Sequence, residues 1–394
     1  MSFLTSAVAE YRRGLMNAFM DEHQLDALAF LTPDYFFYAT NYFLDVAPWE
    51  RPVVTVQPRN GDPFAIMHEL STNHLKMAKE RATLWVPDVT LYSEHPRLAN
   101  RLHLTPQWPA LMAELLREHG LTGSRIGVDS LSGSLSVAQQ TLSVTFVALE
   151  RTLRELRHVK HPEELDLMRQ AASLSDWAQE RYREEIRPGR VVQEMDFSVA
   201  AQTAQEASAR HPGEQVEIRC FSLSGPDSAA PHGTGTSAGK TVEKEHSIVN
   251  IVIIRVNGSV VENERTWFCG KPSDEQARAF DVATRAQQAA IEQMTTGNSL
   301  SCVDAAALSV IYAAGFGDNV IHRTGHGIGI AGHEFPDDMA FDPRPLKANE
   351  VYSAEPGIYI YGLGGFRHDD TVIVANTPEV VTKAPKDIES QTVA

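Results

Sequence analysis

Through the first part of the chain, short apolar runs alternate with stretches of helical period. "LDALAFL" (25–31), "RPVVTVQP" (51–58), "PFAIMHE" (63–69) and "RIGVD" (125–129) predict strands, each a brief apolar run bounded by turn residues or charge. "MSFLTSAVAEYRRGLMNAFM" predicts an amphipathic helix, "DYFFYATNYF" a turn and short helix, and "WPALMAELLREHG" an amphipathic helix stopped at Gly120. Strands interleaved with helices predict an α/β domain.

Near residue 150 the pattern changes to dense charge on a helical period. In "LERTLRELRHVKHPEELDLMRQAASLSDWAQERYREEI" the pair His161-Pro162 interrupts it, and Pro162-Glu163-Glu164 reads as the first turn of a long helix. The boundary implied is an N-terminal α/β domain over residues 1–157 and a second domain over 158–394. Within the second, "RPGRVVQEMDFSVAAQ" (187–202) resembles "TTGNSLSCVDAAALSV" (295–310): Gly189 and Asp196 recur as Gly297 and Asp304. Such a repeat predicts duplication and pseudo-twofold symmetry. A strand is expected after each unit, in "QVEIRCFSLSG" and in "NVIHRTGHGIG".

Bulk properties narrow the classes of function. At 394 residues, 43% hydrophobic and 22% charged, the chain is an ordinary globular protein. A net charge of −16 argues against nucleic acid or an anionic membrane as partner. Cys220, Cys269 and Cys302 form neither a disulfide framework nor a CxxC pair. With no signal-peptide core and no long apolar run, a reduced, cytoplasmic location is expected.

The polar groups that could carry chemistry fall in four segments of the second domain. "SGPDSAAPHGT" holds His232. "SIVNIVIIRVNGSVVENERTWF" predicts a hairpin around Asn257-Gly258, with Asn250, Glu262 and Glu264 in otherwise apolar strands. "TGHGIGIAGHEFP" sets His326 and His333 among glycines, where backbone can come close to a partner. "VYSAEPGIYIYGLGGFRHDDTVIV" predicts strand, turn and strand, with Glu355 in the first and His368, Asp369 and Asp370 entering the second. Carboxylates in apolar strands are costly unless paired or metal-bound. Glu262, His326, Glu355 and Asp369 offer one nitrogen and three oxygen ligands, a set suited to Mn²⁺, Fe²⁺ or Zn²⁺.

"PHGT", "ENERTWF", "GHGIGIAGHEFP", "AEPGIY" and "GFRHDDTVIV" occur in the order found in the pita-bread enzymes, and the chain resembles the creatinase/prolidase family from about residue 10 to 380. The resemblance implies an α+β architecture: a catalytic pita-bread domain with pseudo-twofold duplication, preceded by a smaller α/β creatinase-type domain. It implies that Glu262, His326, Glu355 and Asp369 stand at four of the five ligand positions of metal-dependent members. Asn250 stands at the fifth, or that ligand is lost. At most one divalent ion is therefore expected, and none if the chain follows creatinase.

"ENERT" is closer to creatinase. By that likeness His232 is the proton carrier, His333 faces the substrate, and Glu264 and Glu355 hold it. His326 and Arg367 also join the substrate-binding candidates. "FLDVAPWERPVVTV" resembles the creatinase segment whose Arg reaches the neighbouring subunit's cleft, which gives Trp49 and Arg51 that role in a homodimer. Where creatinase has a second carboxylate-binding Arg, this chain has Asp337 and Asp338. The leading expectation is hydrolysis of a C–N bond in a small zwitterionic amino- or guanidino-type compound. The alternatives are an Xaa-Pro dipeptidase with one metal, a C–S lyase of the same fold, and an inactive binding module.

Overall fold

The computed structural model describes residues 3–93, 104–131, 133–233, 235, 237–334 and 339–393. They form two compact units, Phe3–Leu156 and Arg157–Ala394. None of the helices among the described residues is long and apolar enough to cross a membrane.

In the N-terminal unit, helix α1 (Ser6–Glu22) leads into strand β1 (Ala27–Phe30) and helix α2 (Pro33–Thr40), followed by β2 (Val54–Pro58), β3 (Phe64–His68), α3 (Thr72–Glu80) and β4 (Asp88–Tyr92). After α4 (Leu104–Glu118) come β5 (Arg125–Val128), α5 (Ser134–Ala138) and β6 (Thr145–Ala148). The strands make one sheet in the order β4-β3-β2-β1-β5-β6. The apolar runs of the sequence are its core: Ala27, Val54, Phe64, Ile126 and Trp108 are all fully buried. Asp129, just past β5, accepts hydrogen bonds from the Leu31 and Thr32 amides at 2.9 and 2.8 Å, which ties the end of β1 to β5.

The second unit opens with α6 (Pro162–Glu185) and α7 (Val192–Arg210). Pro162 starts α6 as the sequence predicts. His161 Nδ1 accepts from the Glu163 amide at 3.2 Å, and Glu164 accepts from the His161 amide at 2.9 Å, a reciprocal cap. Strands β7 (Val216–Ser224), β8 (Ser247–Val256) and β9 (Ser259–Cys269) follow, then α8 (Asp274–Gln293), α9 (Leu300–Ala313), β10 (Val351–Ala354), β11 (Gly357–Ile360), β12 (Gly364–Arg367) and β13 (Asp369–Ile373). The main sheet runs β10-β13-β9-β8-β7; β14 (Glu379–Val380) adds to β13 and β15 (Thr392–Val393) to β9. Asn257 and Gly258 close the β8–β9 hairpin at φ 45° and 93°, the left-handed pair that a two-residue turn requires.

The repeat has a structural counterpart. Asp196 on α7 accepts from the Ser222 amide of β7 at 3.0 Å, and Asp304 on α9 accepts from the Thr324 amide at 2.9 Å. Each buried aspartate pins the segment that follows its helix to that helix. The second of these segments departs from expectation. "NVIHRTGHGIG" is not a regular strand; it runs irregularly beside β10, through Ser353 N to His326 O at 2.8 Å and Glu355 N to Thr324 O at 2.7 Å. Gly325 lies so close to β10 that a Cβ there would meet the Ser353 carbonyl oxygen at 2.1 Å. The segment 351–374 also differs from a simple strand–turn–strand. It forms four short strands, and Glu355 lies just past β10 because Pro356 has no N–H to continue the ladder.

Candidate metal centre

Strand alternation decides which side chains meet. Asp369 pairs with Glu264 across β13 and β9, and Ile251 and Ile253 pair with Glu264 and Glu262 across β8 and β9. Directly paired residues share a face, so Glu262, Glu264 and Asp369 project to one side. Asn250 pairs with Arg265 and belongs to the opposite face, with Asn263 and the α6 residue Gln179. The expectation that Asn250 replaces a ligand is therefore corrected: Ile251 occupies the site-facing place opposite Glu264, and no fifth oxygen donor stands there.

His326 joins the acids from the irregular segment. Its Nε2 lies 3.4 Å from Glu262 and 3.3 Å from Glu355. Its Nδ1 lies 3.1 Å from the Gly327 carbonyl oxygen and must donate to it, which leaves Nε2 for the carboxylates. The His333 ring stacks on His326 with centroids 3.7 Å apart and is exposed at the mouth. Donor atoms within ligating reach form two triads, Glu262–His326–His333 and Glu264–Glu355–Asp369, bridged by the His326–Glu355 contact. The four expected ligands thus lie at one site, with His333 and Glu264 beside them.

Four carboxylates, those of Glu262, Glu264, Glu355 and Asp369, crowd one site. Asp369 is fully buried and neither carboxylate oxygen has a hydrogen-bond partner. Burial, then Glu355, Glu264 and Glu262, push its pKa well above the usual range. Burial likewise lifts Glu264 to about 7, against the opposing pull of Arg367. Burial alone would lower His326, but its bonds to Glu262 and Glu355 raise it well above an ordinary histidine. Those acids hold a proton on Nε2; a divalent ion in its place would take the lone pair and neutralise the carboxylates. The donor set and the orphaned Asp369 oxygens fit one such ion.

Arg367, expected at the substrate, is committed elsewhere. Its Nε pairs with Glu264 and its Nη1 donates to the Tyr359 hydroxyl at 2.9 Å. His322 Nε2 lies 2.6 Å from the same hydroxyl and its Nδ1 2.7 Å from the Arg323 carbonyl oxygen, so His322 accepts the Tyr359 proton. Arg367 is therefore a positioning residue, the link between Tyr359 and Glu264 in a His322–Tyr359–Arg367–Glu264 chain. His322 and Tyr359 were not singled out in the sequence: a Tyr in an apolar strand reads as core, and the only signal is a histidine four residues before His326.

The remaining candidates are spread more widely. His232 is exposed in the turn after Ala229, near enough to His322 to join burial and Arg367 in lowering that ring's pKa, against the opposing pull of Glu355. Trp49 and Arg51 belong to the N-terminal unit, where Arg51 pairs with Glu50 at 2.6 Å. Asp337 and Asp338 lie outside the described residues. Glu334 turns out to be structural. It accepts from Arg157 Nε at 2.9 Å and from the Ile330 amide at 2.8 Å, and faces Lys160 at 3.5 Å, so it anchors the loop that carries both cleft histidines.

Known proteins share the two-domain architecture. Residues 166–376 match the family described as metallopeptidase family M24, and residues 12–159 match the creatinase/prolidase N-terminal domain. The Xaa-Pro dipeptidase of Pyrococcus furiosus is 30% identical over 244 residues, covering 62% of this chain and 68% of that protein. Dipeptidase PepE from Mycobacterium ulcerans superposes with a TM-score of 0.81 at 27% identity, over 99% of this chain and all of that one, 100%. The prolidase of Thermococcus sibiricus shares the fold, with a TM-score of 0.82 at 22% identity over 97% of this chain and 98% of that one.

Proposed function

The chain belongs to metallopeptidase family M24, with a creatinase/prolidase N-terminal domain ahead of the catalytic one, and on that premise we propose that it hydrolyses dipeptides of the Xaa-Pro type using one divalent ion per chain. The amidino- or guanidino-type substrate expected from "ENERT" gives way to a dipeptide, because the relatives that match along the chain are dipeptidases. The observation that carries the reading is Asp369, buried without a partner beside His326, Glu262 and Glu355.

Held by Glu262, His326, Glu355 and Asp369, a Mn²⁺, Fe²⁺ or Zn²⁺ ion would polarise the scissile carbonyl and make water nucleophilic at neutral pH. The chain's own groups do the rest. The Gly327 carbonyl fixes the His326 tautomer. Arg367 and Tyr359 hold Glu264 in place. His333, exposed at the mouth, can donate to the substrate carbonyl, and His232 is available to carry a proton to the leaving nitrogen. Ile251 at the position opposite Glu264 supports one ion rather than two.

Elemental analysis of protein purified without added metal should find about one equivalent of Mn, Fe or Zn, in line with a single four-ligand site. Xaa-Pro dipeptides should be cleaved and guanidino compounds left intact. Turnover of a guanidino or cyclic amidine compound by metal-stripped protein would return the chain to the creatinase type of reaction.

A further inference from the structure

The site-facing side of the sheet continues beyond the metal cluster. Across β7, β8 and β9, Arg219, Ile253 and Glu262 stand in one row, and Phe221, Ile251 and Glu264 in the next. A cleft of about 410 Å³ opens on this face, lined by Arg219 of β7, Ile253 of β8, Val260 and Glu262 of β9, and His333. Leu223, Val249 and Ile251 extend the apolar floor.

Arg219 differs from its neighbours. Its guanidinium lies over the Phe221 ring, 4.6 Å from the centroid, and is exposed. Among the described residues it makes no ion pair, whereas Arg255 in the same cleft is paired with Glu217 at 3.3 Å. An arginine without an ion pair above an apolar floor is free to take an anion from a ligand.

We propose that Arg219 is a specificity-determining residue that receives a carboxylate of the substrate while the scissile carbonyl sits at the Glu262–His326–Glu355–Asp369 cluster. The proposal rests on the dipeptidase reading of that cluster. Two strand spacings put Arg219 and Glu262 about 10 Å apart along the sheet. A substrate held at the metal cluster can therefore extend along the cleft and present a carboxylate toward Arg219, either its C-terminal carboxylate or an acidic side chain. The guanidinium fork binds either one bidentately.

Three peptides separate the sources: Ala-Pro, Ala-Pro-amide and Glu-Pro-amide. If Arg219 takes the C-terminal carboxylate, wild-type protein prefers Ala-Pro to its amide. If it takes a side-chain carboxylate, wild-type protein prefers Glu-Pro-amide to Ala-Pro-amide. In Arg219→Gln that preference should fall roughly 10- to 100-fold, mostly through KM, the range for a hydrogen bond to a charged group, and Arg219→Lys should restore part of it. The same peptides are titrated calorimetrically into chelator-treated protein, where binding is read without turnover. An Arg219-dependent preference in binding with no peptide cleaved by metal-loaded protein would sink the dipeptidase reading and leave Arg219 as the carboxylate receptor. No preference in wild type by either readout, or one that Arg219→Gln retains, overturns the proposal.

Discussion

Arg265 donates from Nη2 to Asp370 at 2.8 Å, and neither side chain is exposed to solvent. Each stands next in sequence to a site carboxylate, Glu264 and Asp369, and faces the other way. Arg265 also donates to the Glu264 and Asp369 carbonyl oxygens at 2.7 and 2.9 Å, so one guanidinium fixes the backbone beneath both acids. Lys386 adds a second cation to Asp370 at 2.5 Å. Burial would raise Asp370, but Arg265 and Lys386 hold it at about 2. Arg265→Ala should cost about 3–5 kcal/mol in denaturant unfolding, the scale for breaking a buried ion pair. It should also weaken metal retention on dialysis. Wild-type stability and metal content in that variant would show that the clamp positions nothing.

The metal prediction follows from Ile251. With an isoleucine opposite Glu264, at most one divalent ion should bind per chain. His326→Ala and Asp369→Ala should each abolish it in metal analysis after gel filtration. Two ions at full occupancy, about 3.5–4 Å apart as in two-metal hydrolases, would show that another oxygen donor completes a second site.

Much of this was legible in the sequence, and the failures share one cause. Glu262, His326, Glu355 and Asp369 stood out because acids and imidazole are expensive among apolar residues, and they do converge. For the fifth ligand the sequence leaves Asn250 or none, because the face a strand residue takes depends on the residue-by-residue register of the hairpin, which composition does not give. The sequence places Arg367 at the substrate and gives Glu334 no role, because charged residues beside a site look alike until their partners are known. Glu264 lies far from Arg367 in the sequence, and Arg157 and Lys160 lie far from Glu334. The Arg265–Asp370 clamp was hidden by its place on the far face, next to the residues that drew notice.

The acid sensitivity of the fold should lie partly in Glu334. Burial would raise its carboxyl, but Arg157 and Lys160 hold it at about 2 against an ordinary 4.5. A depressed folded-state pKa contributes stability that is full above about 4.5 and disappears as pH falls toward about 2. The difference in unfolding free energy between wild type and Glu334→Gln should therefore be largest near neutral pH and shrink on going to about pH 3, over a span on the order of 3 kcal/mol. Denaturant titrations of both proteins at several pH values test this. A difference that is flat with pH would mean that Arg157 and Lys160 do not depress the Glu334 carboxyl in the folded state.

Assembly is the last prediction. Trp49 is 86% exposed in the N-terminal unit, with Arg51 and Glu50 paired beside it. A large aromatic next to an Arg is a common interface anchor, and the expected assembly is a homodimer in which this loop serves the partner's cleft. Sedimentation should give twice the chain mass of 43.5 kDa. His232→Ala should lower turnover at least about 10²-fold by removing a proton carrier, without unfolding, because His232 is exposed. Arg51→Ala should raise KM about tenfold or more, as for a charge-assisted hydrogen bond, and leave the dimer intact, since one rim charge seldom decides association. Mixing the two variants should restore activity, because one cleft of each mixed dimer then has both residues native. A monomer in sedimentation, or no recovery after subunit exchange is demonstrated with labelled chains, would place the work of Arg51 outside the partner's cleft.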